Sequence, residues 1–167
     1  MDKWQNARAS LAGVWTVPLV IAADRLTKAW SVASLRGRGS VPALPGLLNW
    51  RYAENTGAAF SALSGQTWLL SLLTLVLIAA VVGYLLLRRG QPVPLRLGLW
   101  LVAAGGLSNL YDRLVYGYVV DFIEFAFVRF AVFNLADVGI CQGTGLAVLG
   151  YALLERRTGR EKERSHV

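Results

Sequence analysis

The segment Thr67–Leu87 constrains the fold of this chain more than any other part of the sequence. It contains 21 residues and no charged side chain, and roughly 20 apolar residues are enough for a helix to cross a bilayer. The whole chain of 167 residues is 55% hydrophobic and only 16% charged, which is more apolar than an ordinary soluble domain. These features argue against a water-soluble enzyme and predict an integral membrane protein.

Three further apolar segments predict additional membrane helices. Residues 133–154 contain a single charge, Asp137, and residues 95–114 include small residues that let membrane helices approach closely. Residues 11–33 begin with an uncharged run and then carry charged side chains, which we interpret as one retained helix. The predicted fold is therefore an all-α integral membrane protein with one domain, residues 1–167, and four transmembrane helices at about 11–33, 67–87, 95–114 and 133–154.

The segments between these helices have distinct compositions. Residues 34–66 are rich in Gly, Pro and Asn and include a strand-like stretch, Leu47–Ala53, which predicts a small extracytoplasmic β-cradle between helices 1 and 2. Residues 115–132 are so aromatic that we expect an interfacial segment between helices 3 and 4, either helix or strand. Residues 155–167 form a basic tail.

The distribution of Lys and Arg predicts the orientation in the membrane. With both termini in the cytoplasm, the inner segments contain ten basic residues and the outer segments five, as the positive-inside rule requires. This sorting explains the net charge of +7, so we expect no nucleic-acid partner. One cysteine, Cys141, and one histidine, His166, exclude an intrachain disulfide and a zinc site built from these residues; we expect no metal and no cofactor.

The predicted topology collects four acidic, two amide and two basic side chains just below the outer surface. Most of them have a structural interpretation. Asp24 and Lys28 lie one helical turn apart and are expected to neutralise each other, while Arg25 is expected to extend to the interface. Asp112 and Arg113 form either an exposed pair at a helix end or, through Arg113, a contact with a carboxylate or substrate carbonyl. By composition, Asn55 is a turn former.

Asp121 and Asp137 have no such explanation, because no Lys or Arg stands at helical spacing from either residue. Two unpaired carboxyl groups near a membrane surface can act as general acid and base and share one proton near neutrality. They indicate hydrolysis without a metal or a covalent intermediate. Alternatives are a proton relay in a small proton-coupled carrier, or helix contacts in a membrane assembly factor. The Gly-x-Gly-Asp motif of one known type of intramembrane aspartyl protease is absent.

Five motifs give the sequence a specific resemblance. In order along the chain, they are Asp24-Arg-Leu-Thr-Lys28, Asn55-Thr-Gly-Ala-Ala-Phe60, Asn109-Leu-Tyr-Asp-Arg113, Val119-Val-Asp-Phe-Ile123 and Phe133-Asn-Leu-Ala-Asp137. With these motifs the chain resembles the bacterial lipoprotein signal peptidases, also called type II signal peptidases.

The resemblance implies an aspartyl endopeptidase of the bacterial cytoplasmic membrane, with its active site near the extracytoplasmic face. It would remove signal peptides from prolipoproteins by cleaving just before a cysteine that carries diacylglyceryl. Asp121 and Asp137 would be the catalytic pair. Membrane lipid and globomycin-type inhibitors are implied ligands, and we expect a monomer. Supporting roles, in substrate binding or in orienting the pair, are implied for Asp24, Lys28, Asn55, Gly57, Asn109, Arg113, Asn134 and Ala136.

One position departs from the family pattern. The family usually has glycine before Asn-Leu-Tyr-Asp-Arg, whereas this chain has Ser108. We expect the added hydroxymethyl group to move the local helix contact slightly.

Overall fold

The computed structural model describes residues 13–57, 63–88 and 90–165, with residues 157–165 described by their backbone alone. Four α-helices and three β-strands form within these ranges. In chain order they are α1 (Thr16–Leu35), β1 (Val41–Leu44), β2 (Leu48–Asn55), α2 (Thr67–Leu87), α3 (Val93–Tyr116), β3 (Val119–Phe125) and α4 (Leu135–Ser165).

The two central helices lie close to their predicted bounds. α2 spans the predicted residues. α3 is longer than predicted at both ends. At its N-terminus, Pro94 fits the first turn, because a backbone N–H there would have no intrahelical acceptor. Its C-terminus is set by Gly117, which adopts a left-handed conformation with φ of 80° and donates its N–H to the carbonyl oxygen of Arg113.

The first and last helices differ from their predicted bounds. α1 begins at Thr16 and not at residue 11, since residues 13–15 form a turn and the Thr16 hydroxyl donates to the Gly13 carbonyl; residues 11 and 12 lie outside the described residues. α4 begins two positions later than predicted, at Leu135, and continues to Ser165. The basic segment after residue 154 therefore extends this helix.

Among the described residues, three helices are long and apolar enough to cross a membrane: α2, α3 and the Leu135–Arg156 part of α4. The chain is thus an integral membrane protein. α1 does not meet the same test, because every window of 18 residues within it contains Asp24, Arg25 and Lys28. Its charges have buried partners, described below.

α3 and α4 pack antiparallel and very closely through glycines. A Cβ atom at Gly105 would clash with the Ala136 carbonyl, and one at Gly143 would lie 2.6 Å from the Gly98 carbonyl oxygen. A Cβ atom at Gly150 would clash with the backbone of Leu95. The absent side chains let the two backbones touch, as is common between membrane helices.

The three strands form one antiparallel sheet in the order β1-β2-β3. β1 and β2 fall within the predicted extracytoplasmic segment, but β3 comes from residues 115–132, so the sheet joins both connecting segments. The pairing shifts by one residue between Trp50 and Ala53 of β2, a bulge that re-aims the strand beside Asp121. An isolated bridge between Ile123 and Phe133 then leads the chain from the sheet into α4.

Candidate active site

Asp121 is brought to the centre of the molecule by β3. It pairs with Ala53 on β2 and is 2% exposed. Its two carboxylate oxygens accept hydrogen bonds from different amides: Oδ2 accepts from Asn55 Nδ2 at 2.9 Å, and Oδ1 accepts from Asn134 Nδ2 at 2.6 Å. Each oxygen therefore has a neutral donor and remains free of a cation.

Asp137 is fixed by the beginning of α4. The Asn134 side chain accepts the Asp137 N–H at 2.9 Å, and Asp137 Oδ2 accepts the Asn134 N–H at 3.1 Å. This reciprocal pair is a capping box, in which the first residue and the third helical residue satisfy each other's backbone donors. Asn134 thus caps α4, holds Asp137 through its backbone and contacts Asp121 through its amide.

Asn109 on α3 connects Asp137 to a buried lysine. Its Oδ1 accepts from Lys28 Nζ at 2.9 Å, and its Nδ2 donates to Asp137 Oδ1 at 2.7 Å. Because an ammonium group can only donate, Lys28 fixes which way the Asn109 amide points. The amide therefore presents its N–H group, and not its oxygen, to Asp137.

A short arch beside the carboxyl groups links Asn55, Gly57 and Arg113. The Gly57 N–H donates to Asn55 Oδ1 at 2.9 Å, and the Arg113 guanidinium donates to the Gly57 carbonyl at 3.1 Å. The hydrogen bond from Gly57 orients the Asn55 amide so that its Nδ2 faces Asp121. Residues 58–60 of the same motif lie outside the described residues.

A buried ionic cluster lies behind the two carboxyl groups. The expected pair forms, with Lys28 Nζ 2.8 Å from Asp24 Oδ2, but Lys28 also lies 2.8 Å from Asp112 Oδ2. Arg25 contacts Asp112 at 2.5 Å and stacks over the ring of Tyr111. The predicted interfacial role of Arg25 and the predicted exposed pair of Asp112 with Arg113 are therefore wrong.

Asp24 connects the ionic cluster to α3 and α4. Its Oδ1 accepts the backbone N–H of Ala136 at 2.9 Å, and its Oδ2 accepts the Ser108 hydroxyl at 2.6 Å. Ser108 thus makes a polar contact that the sequence did not predict. A glycine at that position would lack this donor.

The surroundings of Asp121 change its acidity. Burial, followed by the negative charge of Asp137, raises the pKa of Asp121 to about 7, although the hydrogen bonds from Asn55 and Asn134 act in the opposite direction. None of the ion pairs in the described ranges involves Asp121 or Asp137. Near neutral pH the Asp121 carboxyl is therefore able both to hold and to release a proton.

A cavity of about 460 Å³ opens onto both carboxyl groups. Asp121 and Asp137 line it together with three of the predicted supporting residues. Most of the other lining residues are apolar or aromatic, and Gln142 of α4 adds one further polar side chain. The polar group that includes the pair is Asn55, Asn109, Arg113, Asp121 and Asp137, and the apolar wall includes Val119, Phe125, Phe130, Phe133, Val138 and Ile140.

Comparison with known proteins assigns the chain to a family. Residues 16–153 match the sequence model of the Signal peptidase (SPase) II family. The chain belongs to the signal peptidase II family. A lipoprotein signal peptidase of Shewanella loihica is 39% identical, with 96% of each chain covered, and one of Clostridium acetobutylicum is 37% identical over 78% of this chain and 87% of its own length.

A solved structure supports the same relationship at the level of the fold. A bacterial membrane enzyme determined by the in meso method at 2.3 Å resolution superposes with a TM-score of 0.77. It is 27% identical, and the match covers 89% of this chain and 90% of the other. The arrangement of helices and sheet described above is therefore the fold of a known membrane enzyme.

The ten residues that the resemblance to signal peptidase II singled out lie together in the structure, although their roles stay a prediction. Five line the cavity. Lys28, Gly57 and Asn134 are hydrogen-bonded directly to those five, whereas Asp24 is linked to them through Lys28, and Ala136 donates its N–H to Asp24. Arg25 and Asp112 were missed as members of the cluster. One signal in the sequence could have found Asp112: Asp24, Arg25 and Lys28 leave one positive charge on α1, and a buried site requires an acid to balance it.

Proposed function

We propose that this member of the signal peptidase II family is an aspartyl endopeptidase that removes signal peptides from diacylglyceryl-modified prolipoproteins. The cut would fall just before the lipid-modified cysteine. The observation that carries the proposal is the pair of buried carboxyl groups, Asp121 and Asp137, which face one cavity and both accept hydrogen bonds from Asn134. The names of the curated relatives support the substrate class.

The proposed reaction is hydrolysis by a water molecule held between the two carboxyl groups. The ionised group takes a proton from water as the oxygen attacks the scissile carbonyl carbon. The protonated group donates a hydrogen bond to the carbonyl oxygen and then transfers its proton to the departing amine. We assign these roles to the pair, since the two groups share one proton.

The rest of the cavity suits a lipid-modified peptide. Polar side chains accompany the carboxyl pair, where a peptide backbone needs donors and acceptors. An apolar surface for the signal peptide or acyl chains is offered by Phe125, Phe130 and Phe133 together with Val138 and Ile140 of α4. A substrate anchored in the outer leaflet would reach this cavity by lateral diffusion.

The proposal includes a topology. α1 is the fourth membrane span, with its charges neutralised by Asp112 of α3. Both termini lie in the cytoplasm, and the sheet and the carboxyl pair lie near the extracytoplasmic face. We propose a monomer that is inhibited by globomycin-type cyclic peptides.

The experiment that tests the function incubates detergent-purified protein with a diacylglyceryl-modified prolipoprotein and follows the mass of the product. Wild type is compared with Asp121→Asn and Asp137→Asn, with and without a chelator. We expect cleavage that survives the chelator and falls by about 10²-fold or more in either folded variant, because each loses proton transfer. Intact substrate with wild type, or variants that cut normally, would reject the proposal, and proton flux in proteoliposomes would then test the carrier.

A further inference from the structure

Ser108 and Ala136 are linked through one carboxylate of α1. The Ser108 hydroxyl donates to Asp24 Oδ2 at 2.6 Å, and the Ala136 N–H donates to Asp24 Oδ1 at 2.9 Å. None of the three residues is more than 1% exposed. The Asp24 carboxylate therefore forms a bridge between α3 and α4 that is sealed from the cavity.

The next residue on each helix forms a second link. Asn109 follows Ser108 and Asp137 follows Ala136, and these two side chains are joined by the 2.7 Å hydrogen bond from Asn109 Nδ2 to Asp137 Oδ1. α3 and α4 are thus joined by two connections, and on each helix the residues that form them are adjacent in sequence. The first is buried, and the second lies in the wall of the cavity.

The two links also share a donor. Lys28 Nζ lies 2.8 Å from Asp24 Oδ2 and 2.9 Å from Asn109 Oδ1. Without the Ser108 hydroxyl, Asp24 Oδ2 would be held only by cations, Lys28 at 2.8 Å and Arg25 at 3.3 Å. Rotation of the carboxylate toward these cations would loosen Ala136 and shift Lys28 relative to Asn109.

We propose that Ser108 is a positioning residue for the carboxyl pair: its hydroxyl orients Asp24, which fixes the start of α4 and thereby the place of Asp137. Ser108 does not touch the cavity and has no part in binding substrate. The inference rests on the proposed function, since it assumes that Asp137 takes part in the reaction. In this proposal the Ser108 hydroxyl has a role that a glycine at position 108 could not perform.

The test measures kcat and KM of Ser108→Ala on the diacylglyceryl-modified prolipoprotein, per amount of folded protein. Small misplacements of a reacting group lower the rate strongly, so we expect kcat to fall by roughly tenfold with KM unchanged. Ser108→Thr keeps the hydroxyl and should restore most of kcat. Ser71→Ala is the matched control, because the Ser71 hydroxyl bonds only to the Thr67 carbonyl of its own helix; its kcat should equal that of wild type.

The outcomes separate this inference from the proposed function. A normal kcat per folded protein in Ser108→Ala would overturn the positioning role, and so would an equal loss in Ser108→Ala and Ser108→Thr. Should the alanine variant fail to fold, Ser108→Gly removes the same hydroxyl and is judged by the same criterion. If Asp137→Asn also cut normally, the proposed function would fail; if only Ser108→Ala did, this inference alone would fail.

Discussion

Asn134 and Asp137 cap the N-terminus of α4 for each other, through hydrogen bonds of 2.9 Å and 3.1 Å between side chain and backbone. The same Asn134 side chain reaches Asp121 with its Nδ2 atom. Asn134 therefore has two functions: it caps α4, and it donates a hydrogen bond to Asp121. A suitable substitution can separate these two functions.

Asn134→Ser is expected to keep the cap and lose the contact with Asp121. Serine is a good N-cap residue, so the cap is kept and the free energy of unfolding should fall less than in Asn134→Ala. Activity should fall by one to two orders of magnitude, because a hydrogen bond to a charged group contributes about 1.5–3 kcal/mol. Asn134→Ala is the comparison, since it loses both functions and should also be destabilised. Equal activity of Asn134→Ser and wild type, measured on folded protein, would contradict this assignment.

The pKa of about 7 for Asp121 predicts a pH-dependent rate. As the pH rises above 7, the Asp121 carboxyl loses its proton and the pair loses its acid, so kcat/KM should fall by up to about tenfold per pH unit. Asn55→Ala removes a donor that lowers the pKa of Asp121, and should move this decline to higher pH.

A control for the pH experiment lies on the same strand. Hydrogen bonds from Ser40 and then Arg51 hold the pKa of Glu124 below its usual range, so Glu124→Gln should leave the decline above pH 7 in place. A rate that stays level up to pH 9 in wild type would rule out Asp121 as the titrating group.

Removal of the charge on Asp112 should destabilise the protein strongly. Asp112→Asn leaves Arg25 and Lys28 with one buried acid, Asp24, in place of two, and the loss of one partner from a buried pair costs about 3–5 kcal/mol. Glu54→Gln is the matched control, because its ion pair with Arg36 is exposed and should contribute less than about 1 kcal/mol. Unfolding in mixed micelles with increasing SDS measures both, and similar effects of the two substitutions would refute the buried cluster.

The close packing of α3 against α4 makes one glycine intolerant of substitution. A Cβ atom at Gly143 would lie 2.6 Å from the Gly98 oxygen and 2.9 Å from the Val102 nitrogen, so Gly143→Ala should cost about 1–3 kcal/mol. Gly145 lies on the same helix with no atom within 4 Å of the corresponding position. Gly145→Ala should therefore be neutral or stabilising by up to about 1 kcal/mol through helix propensity. The same SDS titration distinguishes them.

The sequence predicted the fold well where a single segment determines the outcome. The length and apolarity of Thr67–Leu87 were enough to predict α2, and the strand-like stretch Leu47–Ala53 predicted β2. The strand Val119–Phe125 could not be assigned from its own residues, because its buried pattern arises from pairing with β2. Long-range pairing of this kind leaves no local periodicity.

The residues of the candidate site also fall into those that local sequence predicts and those that depend on distant partners. Asp121 and Asp137 stood out because neither has a cation at local spacing, and the motifs added Asn55, Asn109 and Asn134. The role of Asp112 was missed, because its partners Arg25 and Lys28 lie more than eighty positions earlier. Its neighbour Arg113 suggested a local pair, and only the packing of α1 against α3 reveals the distant one.

The dependence of α1 on Asp112 has a consequence for the order in which the chain becomes stable in the membrane. During synthesis α1 emerges before α3, carrying two positive charges and one negative charge that each disfavour the bilayer centre by about 2.5–3.5 kcal/mol. The acid that completes their neutralisation arrives with α3, 87 residues after Arg25. We therefore expect α1 to become stable in lipid only after α3 has inserted, so that an earlier segment of the chain waits for a later one.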